Sequence, residues 1–330
     1  MSRAIVTHFD GDPFTLGAWL TLYKMHWRGE CDKVYMTIYY NPKAVPDSVI
    51  DYERKMLAEY PEIVADIKAE HRPPEAGNQD TLKKVTEDYI GLIESDGFVY
   101  GKGIVDQCFR LLENEGQDIV TPRWFLINEP YFTGELQSTG FMRCFCFLKR
   151  SLLGQIDVDF NPKTVPKGTR LHDKYTLQHD VALDCFGWVS WQLLLLTNKI
   201  TYVPANILGP DNILSPKSNY KWVHVRQMSS SAIGCGGGEY KIWASGGSLD
   251  KIFSLFNENF PDGPAEFIYV KAVAFKLLFF DMMMRKGPIQ ELLGFADEYK
   301  QMLEVVIAYL NLPVDKIYEI KGYYKSLFDV

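Results

Sequence analysis

The chain has 330 residues, 47% of them hydrophobic and 23% charged, which is ordinary for a folded globular protein with a sizeable core. A formal net charge of −7 argues against a broad nucleic-acid-binding surface. The cysteines at 31, 108, 144, 146, 185 and 235 form no C-x-x-C pair, and Cys144-Phe145-Cys146 has the spacing of neither a zinc knuckle nor a disulfide framework. Reduced, mostly buried thiols in a cytoplasmic protein are therefore expected.

Ser2-Arg3 leads directly into a β-rich run over 3–9, so no signal peptide is expected. Residues 14–27 carry Leu16, Trp19, Leu20 and Tyr23 at helical spacing, and Lys33 to Tyr40 reads as a second strand. Helical spacing returns over 46–60, with Ser48 as a cap. The Pro- and Gly-containing stretch 72–78 reads as a loop, followed by a helix over 81–88. That helix feeds the apolar run Tyr89-Ile90-Gly91-Leu92-Ile93, a buried strand ending in Glu94-Ser95-Asp96-Gly97. Such alternation predicts an α/β fold, with a mostly parallel sheet flanked by helices.

Further on, the spacing predicts a helix over 103–115, a brief strand over 118–120 and another over 140–148. A strongly apolar helix follows around 188–196, then a strand over 199–204. Residues 227–247 turn to Ser and Gly and read as a mobile loop. Beyond Leu249 everything reads helical, in roughly four segments broken near Pro261, Gly287 and Pro313. Two domains are expected, 1–245 and an all-helical 246–330. The apolar segment Phe267 to Met284 is interrupted by Lys271, Lys276 and Asp281, so no membrane span is expected. Its ordinary role is core; a homo-oligomeric contact or an acceptor platform is the alternative.

Chemistry-bearing residues gather at the ends of these strands. Thr7, His8 and Phe9 close the first, and Tyr40 the second, a polar and aromatic set suited to stacking a base and bonding its edge or ribose. Gly77 and Asn78, with Asp80 and Leu82, open a helix whose N–H groups could approach a phosphate. Glu94 and Asp96 stand at the carboxyl end of a strand, where open α/β sheets bind ligands. Two carboxylates on one turn can hold a hard divalent cation, Mn2+ or Mg2+, against a phosphate-bearing substrate. An ordinary acidic turn is the alternative for this segment alone.

Together these motifs resemble family-2-type glycosyltransferases of the GT-A fold, a Rossmann-like mixed sheet. The resemblance is carried by Ile5-Val6-Thr7 with Asp12-Pro13-Phe14, Gly77-Asn78 to Leu82, and Ile93-Glu94-Ser95-Asp96. The stretch Ile90 to Arg123 matches best, and the likeness extends to Leu183-Asp184-Cys185-Phe186-Gly187-Trp188 and Lys221-Trp222-Val223-His224-Val225. It covers about residues 3–232, as spaced motifs, and leaves the last stretch of chain unmatched. It implies transfer of a sugar from a UDP-, GDP- or dTDP-sugar to a hydroxyl acceptor, a glycan or another. It also implies Asp96 as metal ligand, Glu94 and Ser95 at the nucleotide or metal-bound water, His224 as a further ligand and Asp184 as the base of an inverting reaction, with a retaining reaction the alternative. His179-Asp180 is a rival base, helix capping an alternative for Asp184, and a surface histidine the alternative for His224. The motif departs from the family in having glutamate first. A literal D-x-D at Asp157-Val158-Asp159 alternates with apolar residues and reads as an edge strand with both acids in solvent. A catalytically silent interaction module is the competing functional reading.

Overall fold

A computed structural model of the protein describes residues 1–9, 11, 13–40, 42, 47–70, 72, 74–125, 139–141, 144–171, 175–183, 186–204, 207–208 and 221–225. The expected helical region 246–330, the Ser/Gly-rich loop 227–247 and Asp184 lie outside them.

The chain begins with strand β1 (Arg3–Phe9), helix α1 (Pro13–Leu22), which continues into a π-helical turn (Tyr23–Trp27), strand β2 (Lys33–Tyr39) and helix α2 (Asp47–Leu57). Next come β3 (Ile63–Lys68), α3 (Pro74–Leu82), β4 (Tyr89–Ile93), β5 (Gly97–Val99) and α4 (Ile104–Asn114). Then follow β6 (Ile119–Phe125), β7 (Thr139–Phe141), β8 (Phe145–Lys149), the single turn α5 (Arg150–Leu153) and the short strands β9 (Lys163–Val165), β10 (Arg170–Leu171), β11 (Tyr175–Thr176) and β12 (Val181–Leu183). The described chain ends with α6 (Gly187–Leu196), β13 (Ile200–Val203), β14 (Ile207–Leu208) and β15 (Trp222–Val225).

The main sheet runs β13-β6-β8-β4-β1-β2-β3, with β7 paired to β6. β1 pairs in parallel with β2 and β4, β2 with β3, and β13 with β6. Only β8 runs against its neighbours β4 and β6 within that order. The described residues thus form the α/β class expected from the sequence, a mixed and mostly parallel sheet flanked by helices. β1, from Ala4 onward, and β4 are buried throughout, which is why β4 reads as a continuous apolar run rather than an alternating one. No helix among the described residues is long and apolar enough to cross a membrane.

Aromatic packing fixes the first crossover. Phe9, the last residue of β1, meets Trp19 edge-on at 5.9 Å, and Trp19 in turn packs on Tyr23 and Trp27 at 5.7 and 5.0 Å. Arg3 at the other end of β1 reaches Asp106 (2.8 Å) and Glu113 (2.6 Å), tying α4 to the strand.

Several elements differ from the sequence reading, among them the single strand expected over 140–148, which is two: β7 paired with β6, and β8 with β4 and β6. β3 was not anticipated: it is the edge strand, Val64 is 45% exposed, and its charges Asp66 and Lys68 engage neighbours, so no apolar alternation marks it. α3 starts at Pro74 and ends at Leu82, seven residues earlier at its start than expected. Proline at the first helical position suits that start, and turn bonds from Lys84 to Thr81 and Val85 to Leu82 end the helix. The segment around Asp157 and Asp159 is not a strand. Asp157 accepts a bond from Trp188 Nε1 (2.9 Å), and Lys163 reaches both acids at 3.6 and 3.1 Å.

Candidate metal and nucleotide site

Strands β1 to β3 run outward on one side of β1, and β4 lies on its other side, so the order of strands reverses between β1 and β4. In open α/β sheets this crevice, at the carboxyl ends of the strands, is where ligands bind. Here it is a cleft lined by Val6, Asn78, Leu92, Ile93, Phe160 and Phe186, with Glu94 among them. The apolar floor comes from the strands, and the polar groups come from the turn after β4 and from α3.

The turn after β4 is built by the backbone. Gly97 N–H donates to Glu94 O (2.9 Å), and Glu94 N–H donates to Cys144 O (3.3 Å) just ahead of β8. A Cβ on Gly97 would stand 2.8 Å from Cys144 O, closer than real Cβ contacts come, and a tight 3.1 Å from Glu94 O, so glycine suits this position. β15 then pairs antiparallel with β5, setting His224 opposite Gly97. His224 Nε2 consequently lies 3.1 Å from Asp96 Oδ1 and 3.4 Å from Glu94 Oε2. Trp222, in the same strand, stacks on Phe145 at 4.5 Å and anchors β15 against the main sheet.

Burial by itself lowers the His224 pKa, but the charge and hydrogen bond of Asp96, with Glu94 beside it, raise it from 6.5 to about 10. The site is thus electronegative enough to hold a cation: an imidazolium in this form, or a divalent ion with the imidazole neutral. The two carboxylates could hold a hard ion such as Mn2+ or Mg2+, while the imidazole favours transition-metal ions. One ligand atom each from Glu94, Cys144 and His224 also lie within 4.8 Å of one another.

No protein-family model matches the sequence, and no curated protein matches it. Among solved structures the chain is similar to Staphylococcus aureus TarS, residues 1–349 (10% identity over 94% of this chain and 92% of that one, TM-score 0.43). It is also similar to a mannosyltransferase from Pyrobaculum calidifontis in complex with GDP-Man and Mn2+ (11% identity, 99% and 87%, TM-score 0.41). A third is the 4-diphosphocytidyl-2C-methyl-D-erythritol synthase of Anaerococcus prevotii (11% identity, 46% and 71%, TM-score 0.31). Scores this low assign no activity to the chain.

The other expected site residues fall into two groups. Asn78 is 8% exposed and lines the cleft, and Ser95 is buried within the acidic turn. Thr7, His8 and Tyr40 are buried at the ends of β1 and β2, while Phe9 packs on Trp19. The His8 ring lies against Gly77, where a Cβ would overlap Nδ1, and meets Tyr39 edge-on at 5.4 Å. Beyond Tyr39, Asp80 accepts its hydroxyl (2.6 Å) and Arg72 Nη1 (2.8 Å), and is lowered to about 2 by that hydroxyl first, against burial, with help from Lys83 and Arg72. Asp180 accepts the Lys167 N–H (2.7 Å), a loop-bracing role.

Two features were missed in the sequence. Cys144 joins the acidic turn through the antiparallel pairing of β4 with β8, which no linear spacing reveals. Phe186, the residue before α6, has φ of 65°, a left-handed conformation rare for a bulky residue, and lines the cleft.

Proposed function

We propose that this chain is a divalent-metal-dependent glycosyltransferase, moving a sugar from a nucleoside-diphosphate donor to an acceptor hydroxyl. The observation that carries the reading is the convergence of Asp96, Glu94 and His224 beside the cleft between β1 and β4. A sugar nucleotide needs an apolar wall for the nucleoside and a cation for its diphosphate; the apolar side chains beside Glu94, and the carboxylates of Glu94 and Asp96 that could hold such a cation, support the reading. Asp96 and His224 would be metal ligands, with Glu94 at the metal or the ribose. When bound, Mn2+ or Mg2+ neutralises the charge that builds on the departing diphosphate. Asn78 offers its amide to the donor from the cleft wall, and Ser95 stiffens the turn from within.

In the inverting reaction the acceptor oxygen bonds to the sugar's anomeric carbon as the bond to the diphosphate oxygen breaks. The hydroxyl proton passes to a carboxylate on the opposite face. Asp184 is the base of choice: it stands two residues before Phe186, a wall of the same cleft. Asp180 is the weaker rival, since its carboxylate already braces Lys167. Thr7, His8 and Tyr40 would shape the nucleoside end.

The test is a thermal-shift panel of UDP, GDP and dTDP with and without Mn2+. A ligand that binds only the folded protein raises its melting temperature by mass action. The expected result is stabilisation by one nucleotide in the presence of metal, absent in Asp96→Asn. No shift with any nucleotide overturns the proposal.

A further inference from the structure

We infer that Cys144 is a protein ligand of the same cation, giving the centre a mixed oxygen, nitrogen and sulfur donor set that favours thiophilic divalent ions over Mg2+. The inference rests on the metal site proposed above but reaches beyond it, since a thiolate adds a preference for soft metals that carboxylates lack.

Cys144 is held at the centre by the backbone. β4 and β8 pair antiparallel with Ile93 opposite Phe145, so the next pair outward is Glu94 and Cys144, joined by the Glu94 N–H to Cys144 O bond of 3.3 Å. Gly97 is backed against that same carbonyl, and His224 lies across from Gly97 on β15. Glu94 in the turn after β4, Cys144 just ahead of β8 and His224 on β15 are thus brought together by backbone pairing, and Cys144 is 2% exposed. One ligand atom from each lies within 4.8 Å of the others. Ligands of one tetrahedral ion at bond lengths of about 2.0 to 2.3 Å stand roughly 3.3 to 3.8 Å apart, so side-chain rotation closes the set. Cys146 serves as an internal contrast. It projects to the same face two residues on, but opposite Leu92, within a core cluster of buried hydrophobic side chains.

Thiolate is a soft ligand that selects Zn2+ and Co2+, whereas Mg2+ prefers oxygen alone. Coordination replaces the S–H bond with a metal–sulfur bond, and the proton leaves to solvent. Occupancy by such an ion is therefore coupled to proton release.

The full-length chain is titrated with Co2+ and followed by absorbance. A thiolate-to-cobalt charge-transfer band in the near ultraviolet is expected for the wild type and not for Cys144→Ser. Zn2+ affinity should fall by about tenfold or more in that variant, since even outer-shell partners cost 10- to 100-fold, while Mg2+ affinity holds. Co2+ uptake without the band, or a band that persists in Cys144→Ser, overturns the assignment; if Mn2+-dependent nucleotide binding survives, the transferase reading stands. A cobalt band with no nucleotide response supports the thiol ligand and removes the transferase. No uptake of Co2+ or Zn2+ overturns both. Should Cys144→Ser fail to fold, zinc X-ray absorption on the wild type decides: a sulfur scatterer at about 2.3 Å is expected, and nitrogen and oxygen alone at about 2.0 to 2.1 Å contradicts it.

Discussion

His224 Nε2 sits 3.1 Å from Asp96 Oδ1, held there by the antiparallel pairing of β15 with β5. Against burial, which lowers it, the carboxylates of Asp96 and Glu94 beside it raise the pKa of the His224 imidazole.

The first prediction concerns pH. The folded-state pKa of His224 is raised to about 10 against 6.5, so its contribution to stability is full below 6.5 and is lost as pH rises through 10. In chelator, the melting temperature of the wild type should decline between those values more steeply than that of His224→Gln. With saturating Mn2+ the decline should flatten, because the bound imidazole is already neutral. Parallel profiles for wild type and variant in chelator would show that His224 does not titrate in this way.

Gly97 provides a second prediction. A methyl group there meets Cys144 O at 2.8 Å and Glu94 O at 3.1 Å, both backbone atoms that cannot swing aside. Gly97→Ala should cost ~1–3 kcal/mol, the usual range for overpacking, and should weaken metal binding by shifting the acidic turn. Denaturant melts and metal titration check the two effects separately. A variant as stable as wild type would mean the turn relaxes freely.

Asp80 marks the acid limit. Its carboxyl is lowered to about 2, so the stability it contributes is present above the ordinary carboxylate range near 4 and is lost as pH falls toward 2. The group is part-exposed, so solvent screening limits Asp80→Asn to a cost of ~1 kcal/mol at neutral pH, measured by urea unfolding. The difference from wild type should vanish near pH 2.

How far the sequence could be read differs from element to element. β4 announced itself as an unbroken apolar run and β1 as a β-rich one, both buried in the sheet, and the apolar helix over 188–196 is α6 almost residue for residue. β3 could not be seen, since an edge strand with Asp66, Lys68 and an exposed Val64 carries no alternation. α3 was placed too late because Pro74 was taken for loop rather than for the first helical position. At the site, Glu94, Asp96 and His224 were legible as residue types, and the structure brings the three together. Cys144 was not, because its place depends on which strand pairs with β4 and in which register. Asp157 and Asp159, the literal motif, turn out to be engaged by Lys163.

The assignment of the base gives a fourth prediction. Asp184→Asn should leave metal-dependent nucleotide binding intact while lowering kcat by ~100-fold or more, the usual contribution of a positioned base. Asp180→Asn should leave turnover nearly unchanged. The reverse pattern would move the role to Asp180.

The central claim is that a cation at Asp96 and His224 and a nucleoside diphosphate in the adjoining cleft bind as one unit. Calorimetric titration of the favoured nucleotide, in saturating Mn2+ and in chelator, measures that coupling directly, and linkage requires the nucleotide to tighten Mn2+ by the same factor. The account predicts an affinity higher by more than about tenfold with Mn2+, a difference that disappears in Asp96→Asn. Equal affinities in Mn2+ and in chelator would contradict it.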